Sequence, residues 1–188
     1  MTFAPTDAQV RVLRIATTFV LCASLLSCVV RGADNPANPS FASVGSASRV
    51  LLPGFGETRI TVRAPTGSLF SWCLLLAATA ALRGQGLMHV TDASLGGYDG
   101  MLFRWADTDV TEAFYMKNTP LPLSLAYLDG KGQLVSAVDM APCEDSADCP
   151  LYPAAGPYRF SIEVPQGGLA RLGIEPGAVV TDERAGCG

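Results

Sequence analysis

Apolar and polar residues alternate with period two over much of this chain, the spacing that turns one face of a β-strand toward a core. In FYMKN, residues 114–118, Phe114 and Met116 take one face and Tyr115 and Lys117 the other. Pro120 and Pro122 cannot donate to a ladder and force an extended crossing into a strand whose Leu123, Leu125 and Tyr127 share a face. Asp129-Gly130 signals a hairpin, with residues 134–140 as the returning strand. Further strands are predicted at 101–105, where Met101, Phe103 and Trp105 share a face, and at 158–164, where Phe160, Ile162 and Val164 alternate with Arg159, Ser161 and Glu163. Ile60 and Val62 mark a first, edge strand after the Pro53-Gly54 turn, and AVVT, beyond Pro176-Gly177, a last one.

The apolar run 69–82 is about fourteen residues, short for a membrane-spanning helix, and Thr79 offers an N-cap inside it. It therefore divides into a strand over 69–77, buried on both faces, and a short helix over 80–88 with Leu82 and Leu87 turned inward. Gly84 and Gly86 each weaken that helix by about 1 kcal/mol relative to Ala and suggest close approach of another backbone. Four prolines in 141–157 argue against regular structure there, and GGLARLG forms a second helix stopped at Gly173. Seven or so short strands with two short helices imply an α+β domain of mainly antiparallel β structure, a partly closed barrel or a sandwich.

The segments RGQGLM, GMLF, FYMKNTPLPL and AYLDGKG, followed by YRFSIEVPQGGLARLGIEPG, resemble in order the motifs of the Domain of Unknown Function 192 family of bacteria and archaea. The resemblance runs from about residue 73 to 180 and implies one domain over 49–188. Gln85 and Gly86 widen the first motif, Tyr115 replaces a Trp, and Ser124 stands where an Asp is common. The last departure removes a carboxylate with catalytic or ligand potential. The family brings no established activity with it.

The net charge of -4 carries no basic stripe or arginine cluster, which argues against a nucleic-acid partner. Arg11 and Arg14 precede an uncharged apolar run of signal-peptide length, so export is expected. Leu25-Leu26-Ser27-Cys28 matches a bacterial lipobox, which makes 1–27 a signal peptide and Cys28 the lipidated first residue. The competing cleavage site, ending at Ala33, would put Arg31 where a small residue is wanted and would give a secreted protein. Diacylation at Cys28 supplies a two-chain anchor to the extracytoplasmic side of the cell membrane. Residues 28–48, rich in Asn, Pro, Ser, Ala and Gly, have the composition of a flexible tether. The mature chain then keeps Cys73, Cys143, Cys149 and Cys187, an even set that reads as disulfides in an oxidising compartment. The short CEDSADC loop favours Cys143 with Cys149, leaving Cys73 for Cys187; zinc is disfavoured because there is no CxxC spacing.

Candidate chemistry is sparse. Lys117, Asn118 and Arg83 could supply polar contacts to a cell-envelope ligand or protein beside an apolar wall of Phe103, Tyr115 and Tyr127, while Asp107, Glu112 and Asp129 are candidate partners that would instead make Lys117 a brace. The lone His89 lacks a GxSxG elbow, and the cysteines are expected to be oxidised, so neither a serine nor a cysteine nucleophile is indicated. Asp107, Asp109, Glu112 and Asp129 are the acids a glycosidase could draw on, but the first three sit in a turn-like DTDVTE loop without EF-hand calcium spacing. Met88, Met101 and Met116 with His89 form a soft-metal alternative suited to Cu(I), against their simpler role as core fillers. The sequence thus points to a binding module without a cofactor, ahead of an envelope hydrolase or transferase and a copper-binding protein.

Overall fold

Alternating aliphatic and aromatic residues build the strands, and two short helices complete the order: β1 (Gly56–Arg63), β2 (Leu69–Ala77), α1 (Ala80–Gln85), β3 (Met101–Arg104), β4 (Phe114–Tyr115), β5 (Leu123–Leu128), β6 (Leu134–Met140), β7 (Leu151–Tyr152), β8 (Phe160–Pro165), α2 (Gly168–Arg171) and β9 (Val179–Asp182). This computed structural model describes residues 48–188. The predicted signal peptide, Cys28 and all but the end of the predicted tether lie outside the described residues.

Seven strands form one mixed sheet in the order β6-β5-β8-β3-β2-β1-β9, and β4 pairs with β7 in a second, two-stranded sheet. β2 and β3 run parallel, joined by a crossover that contains α1; the other ladders are antiparallel. The edge strands β6 and β9 approach each other at a single bridge, Gln133 with Val179, beside which Val180 N–H donates to the Gly132 carbonyl at 2.9 Å. Gly132 permits that approach: its φ is +75°, and a side chain there would overlap the Val180 carbonyl. No continuous ladder joins the edges, so the predicted partly closed barrel gives way to a curled sheet with no closed barrel. Phe114 and Tyr152 of the small sheet pack against the large sheet's core, a sandwich-like arrangement.

The large sheet is buried on both faces. Leu75, Met101, Phe103, Leu123, Leu125 and Tyr127 belong to one core, and Ile60, Val62, Leu74, Leu102, Ile162 and Val164 to the other. Leu172 and Ile174, from the end of α2 onward, pack into the second core. Cys73 pairs with Cys187 and Cys143 with Cys149, as the sequence predicts, with Cα separations of 5.7 and 5.9 Å.

Several local expectations change. β1, expected as an edge strand, lies between β2 and β9, and the first three residues of β2, expected to be buried on both faces, are exposed. The strand expected over 114–118 shortens to two residues, because Asn118 turns at φ +56° and Lys117 and Thr119 make isolated bridges to Cys143. Leu151-Tyr152, between Pro150 and Pro153, retain their N–H groups and form β7 inside the proline-rich segment expected to lack regular structure. α1 ends at Gln85 because Gly86 adopts φ +50°; the close backbone approach expected at Gly84 is absent, since a Cβ there would meet nothing within 4 Å.

Candidate functional site

β8 lies between β3 and β5, and its register decides the chemistry of the large sheet. Glu163 is paired with Met101 on one side and Leu125 on the other, and Ser161 with Phe103 and Tyr127. Directly paired residues share a face, so the Arg159-Ser161-Glu163 stripe of the sequence carries two polar side chains into the aromatic core. Ser161 is fully buried and its hydroxyl has no hydrogen-bond partner. Glu163 is 4% exposed. Burial alone, with no charge or hydrogen bond acting on it among the described residues, pushes the Glu163 carboxyl up to about 8.

Above Glu163 lies a cavity of about 240 Å³, lined by residues of α1, the turn after it, β3, the segment before β4, β4 and Tyr158. α1 is positioned by Thr79, whose hydroxyl accepts from Leu82 N–H at 3.2 Å. That cap sets Arg83 at the rim, where Nη1 donates to the Ala78 and Arg104 carbonyls at 2.9 Å each and the guanidinium lies 4.9 Å from the centre of the Trp105 ring. The rings beneath interlock edge to face: Phe103 with Phe114 at 5.0 Å and Trp105 with Tyr158 at 5.1 Å. Tyr158 is pinned by backbone exchange with Val110 and by its hydroxyl, which donates to the Glu112 carbonyl at 2.8 Å. The acidic loop of the sequence therefore serves as a fixed wall, with Glu112 facing the cavity. Burial raises the Tyr158 and Tyr127 phenols, Tyr127 to about 12, so both stay neutral donors; the Tyr127 hydroxyl donates to the Tyr152 carbonyl.

The residues singled out from the sequence do not converge on one site. Arg83, Phe103 and Tyr115 line this cavity, and Tyr127 is buried in the core beneath. Asn118 and His89 line a separate, shallow depression walled by Pro120, Pro142, Glu144 and Asp145, and Asn118 O accepts from His89 N–H at 2.8 Å. Lys117 pairs with Asp145 at 2.7 Å rather than with Asp107, Glu112 or Asp129, and that exposed hydrogen bond raises its ammonium. Asp109 is held by Arg159 at 2.8 Å, and Asp129 closes its hairpin by accepting from Lys131 and Gln133 N–H.

Among the soft-metal alternatives, Met88 lines the cavity, Met101 and Met116 are wholly buried in the core, and His89 is exposed. Among the described residues the convergent group of metal-ligating types is Glu57, Cys73 and Cys187, outside that set. Its two cysteines are disulfide-bonded and Glu57 is engaged by Cys187 N–H and the Tyr98 hydroxyl at 2.8 Å each, an arrangement that ties down the C-terminal tail. Those hydrogen bonds, the backbone one foremost, hold the Glu57 carboxyl below its usual range.

Ser124 acts as a brace. Its hydroxyl donates to Asp139 Oδ1 at 2.5 Å and accepts from Gly167 N–H at 2.9 Å, fixing the chain where α2 begins. Gln166 donates to the other Asp139 oxygen at 3.2 Å.

Fold and cavity together define a small β-rich domain in which a buried acid, Glu163, meets a cavity lined by aromatic rings. The chain belongs to the DUF192 family, whose model, described as "Uncharacterized ACR", matches residues 63–181. A Novosphingobium aromaticivorans protein of unknown function is similar in structure, with 30% identity, a TM-score of 0.58, and 72% of this chain and 94% of that one covered. A Sinorhizobium meliloti protein described as a "putative transcription regulator" shares the fold at 23% identity and a TM-score of 0.58, with 72% and 98% covered. No curated protein matches the chain.

Proposed function

We propose that this is a binding module of the cell envelope and that the Glu163 cavity is its recognition site. The observation that carries this reading is a buried carboxyl without a protein partner, opening into a concave aromatic cavity. A polar group so placed costs the fold free energy unless something outside the chain satisfies it. Arg83, Phe103 and Tyr115 contribute the rim and wall, whereas Lys117 and Asn118 would serve another contact. Export is supported by the two disulfides, and no helix among the described residues is long and apolar enough to cross a membrane. The anchor in this reading is a lipidated Cys28. Radiolabelled fatty acid should enter the wild-type chain and not Cys28→Ala; label retained by the variant would remove the lipobox assignment.

A thermal-shift screen against cell-envelope sugars, peptides and amines tests the site. Hits should weaken in Glu163→Gln and Trp105→Ala and persist in Lys117→Ala; hits indifferent to the first two variants would place recognition elsewhere. The same carboxyl favours a second reading. An acid held neutral near pH 7 is suited to general-acid work, and Glu112 lines the same cavity as a second carboxylate. Turnover of an envelope polymer by the purified chain, lost in Glu163→Gln, would make the protein a hydrolase or transferase.

A further inference from the structure

We propose that the cavity takes a small organic cation, its ammonium group set against the Glu163 carboxylate and its carbon skeleton against the rings of Phe103, Trp105, Phe114 and Tyr158. This rests on the binding reading above and adds the class of ligand. At about 240 Å³ the cavity falls below the ~300–1,000 Å³ of drug-sized sites, so the occupant is small. Its lining sets the rings of Phe103, Trp105, Phe114, Tyr115 and Tyr158 around two acids, Glu163 and Glu112, with Arg83, Gln85 and Thr119 as the other polar side chains. A polyhydroxyl ligand would need several convergent donors and acceptors there. A cation needs one counter-charge and the negative faces of aromatic rings, the combination used to hold ammonium groups.

The rim already displays that attraction, since the Arg83 guanidinium lies 4.9 Å from the centre of the Trp105 ring. Its Nη1 is committed to the Ala78 and Arg104 carbonyls, which fixes Arg83 at the rim.

Charge balance points the same way. The titratable groups lining the cavity besides Glu163 are Arg83 from α1, Glu112 from the loop before β4, Tyr115 from β4 and Tyr158 from the segment before β8. β3 contributes only Phe103 to the lining, the residue after the strand is Trp105, and the titratable group of β5 is Tyr127, held neutral. Arg83 and Glu112 offset each other, so the empty cavity with a protonated Glu163 is neutral. It is neutral again when a cation enters and the Glu163 proton leaves to solvent. Binding a cation should therefore release a proton and strengthen as pH rises toward 8. A neutral acceptor that uses the protonated carboxyl as a donor would weaken over the same range.

The test is calorimetric titration of the full chain with phenethylamine and its neutral analogue 2-phenylethanol at pH 7 and pH 8. Phenethylamine is a primary amine that, like a lysine side chain, stays charged through pH 8. It should bind at least tenfold tighter than 2-phenylethanol, and its affinity should rise about fivefold from pH 7 to pH 8 as the ionised fraction of Glu163 grows. Glu163→Gln should abolish the preference for the amine over 2-phenylethanol and the rise of amine affinity with pH. Equal or tighter binding of 2-phenylethanol, or an amine affinity flat or falling between the two pH values, would overturn the proposal even if Glu163→Gln failed to fold. Binding of 2-phenylethanol alone would keep the cavity as a site and remove only the cation; failure of both probes and of the wider screen would remove the site as well.

Discussion

Replacing Glu163 by Gln should make the domain more stable, by an amount that grows with pH. The carboxyl stands at about 8 in the fold against 4.5 for an unperturbed group, because burial disfavours its charged form. Its folded-state value is raised, so stability is complete below about pH 4.5, falls as pH rises, and levels off above pH 8. Each pH step between those limits costs about 1.4 kcal/mol. The loss is therefore about 3 kcal/mol at pH 7 and approaches about 5 kcal/mol above pH 8. Gln keeps the shape and a similar unpartnered polar group but cannot ionise, so the two proteins should be equally stable near pH 4.5. Urea unfolding followed by tryptophan fluorescence, run on both proteins from pH 4.5 to pH 9, measures the difference, in which the other titrating groups cancel. A gap that opens from near zero to several kcal/mol is expected. A gap constant with pH would mean that Glu163 titrates alike in both states and is not buried without a partner, and the functional reading would fall with it.

Other perturbations separate braces from the site. Loss of Cys73–Cys187, which spans 114 residues, should cost about 5 kcal/mol in the chain-entropy model, against about 2 kcal/mol for Cys143–Cys149, which spans 6; Cys→Ala pairs and denaturant midpoints check the order. Ser124→Ala should cost about 1–2 kcal/mol by freeing Gly167 N–H and one Asp139 oxygen, while leaving ligand binding in the Glu163 cavity unchanged. Asp182→Ala should cost about 3–5 kcal/mol, since it strands the largely buried Arg104 guanidinium that it now meets at 2.6 Å; thermal unfolding reads it. Lys117→Ala should leave the midpoint unmoved, because its ion pair with Asp145 is exposed on both sides.

What the sequence made legible was local. β2 carries the bounds that its apolar run and the Thr79 cap imply, and α1 starts where that cap places it. β5 and β6 follow from the Asp129-Gly130 turn, and the loop lengths between cysteines were enough to order the disulfide pairs. Each of these depends on residues near one another in the chain or on simple pair counting. The large sheet's order does not. β8 enters between β3 and β5, and β3 runs parallel to β2, so neither placement follows from a turn that could be read.

The site was illegible for the same reason. Alternation tells which residues of β8 oppose one another, but it cannot tell a solvent face from a second core face, and Phe160, Ile162 and Val164 claim the core equally well in either case. Only the insertion of β8 between two other strands buries Glu163, and only the aromatic layer from β3, β4 and Tyr158 turns that burial into a cavity. Several of the acids and bases that stood out in the sequence proved to have partners: Lys117 with Asp145, Asp109 with Arg159, Arg83 with two carbonyls. Among the described residues, Glu163 is a carboxyl for which the protein supplies burial and nothing in compensation. A carboxyl that burial keeps protonated in the empty fold links stability to recognition through its proton: the ionisation that lowers stability as pH rises is the one that would strengthen binding of a cation over the same range.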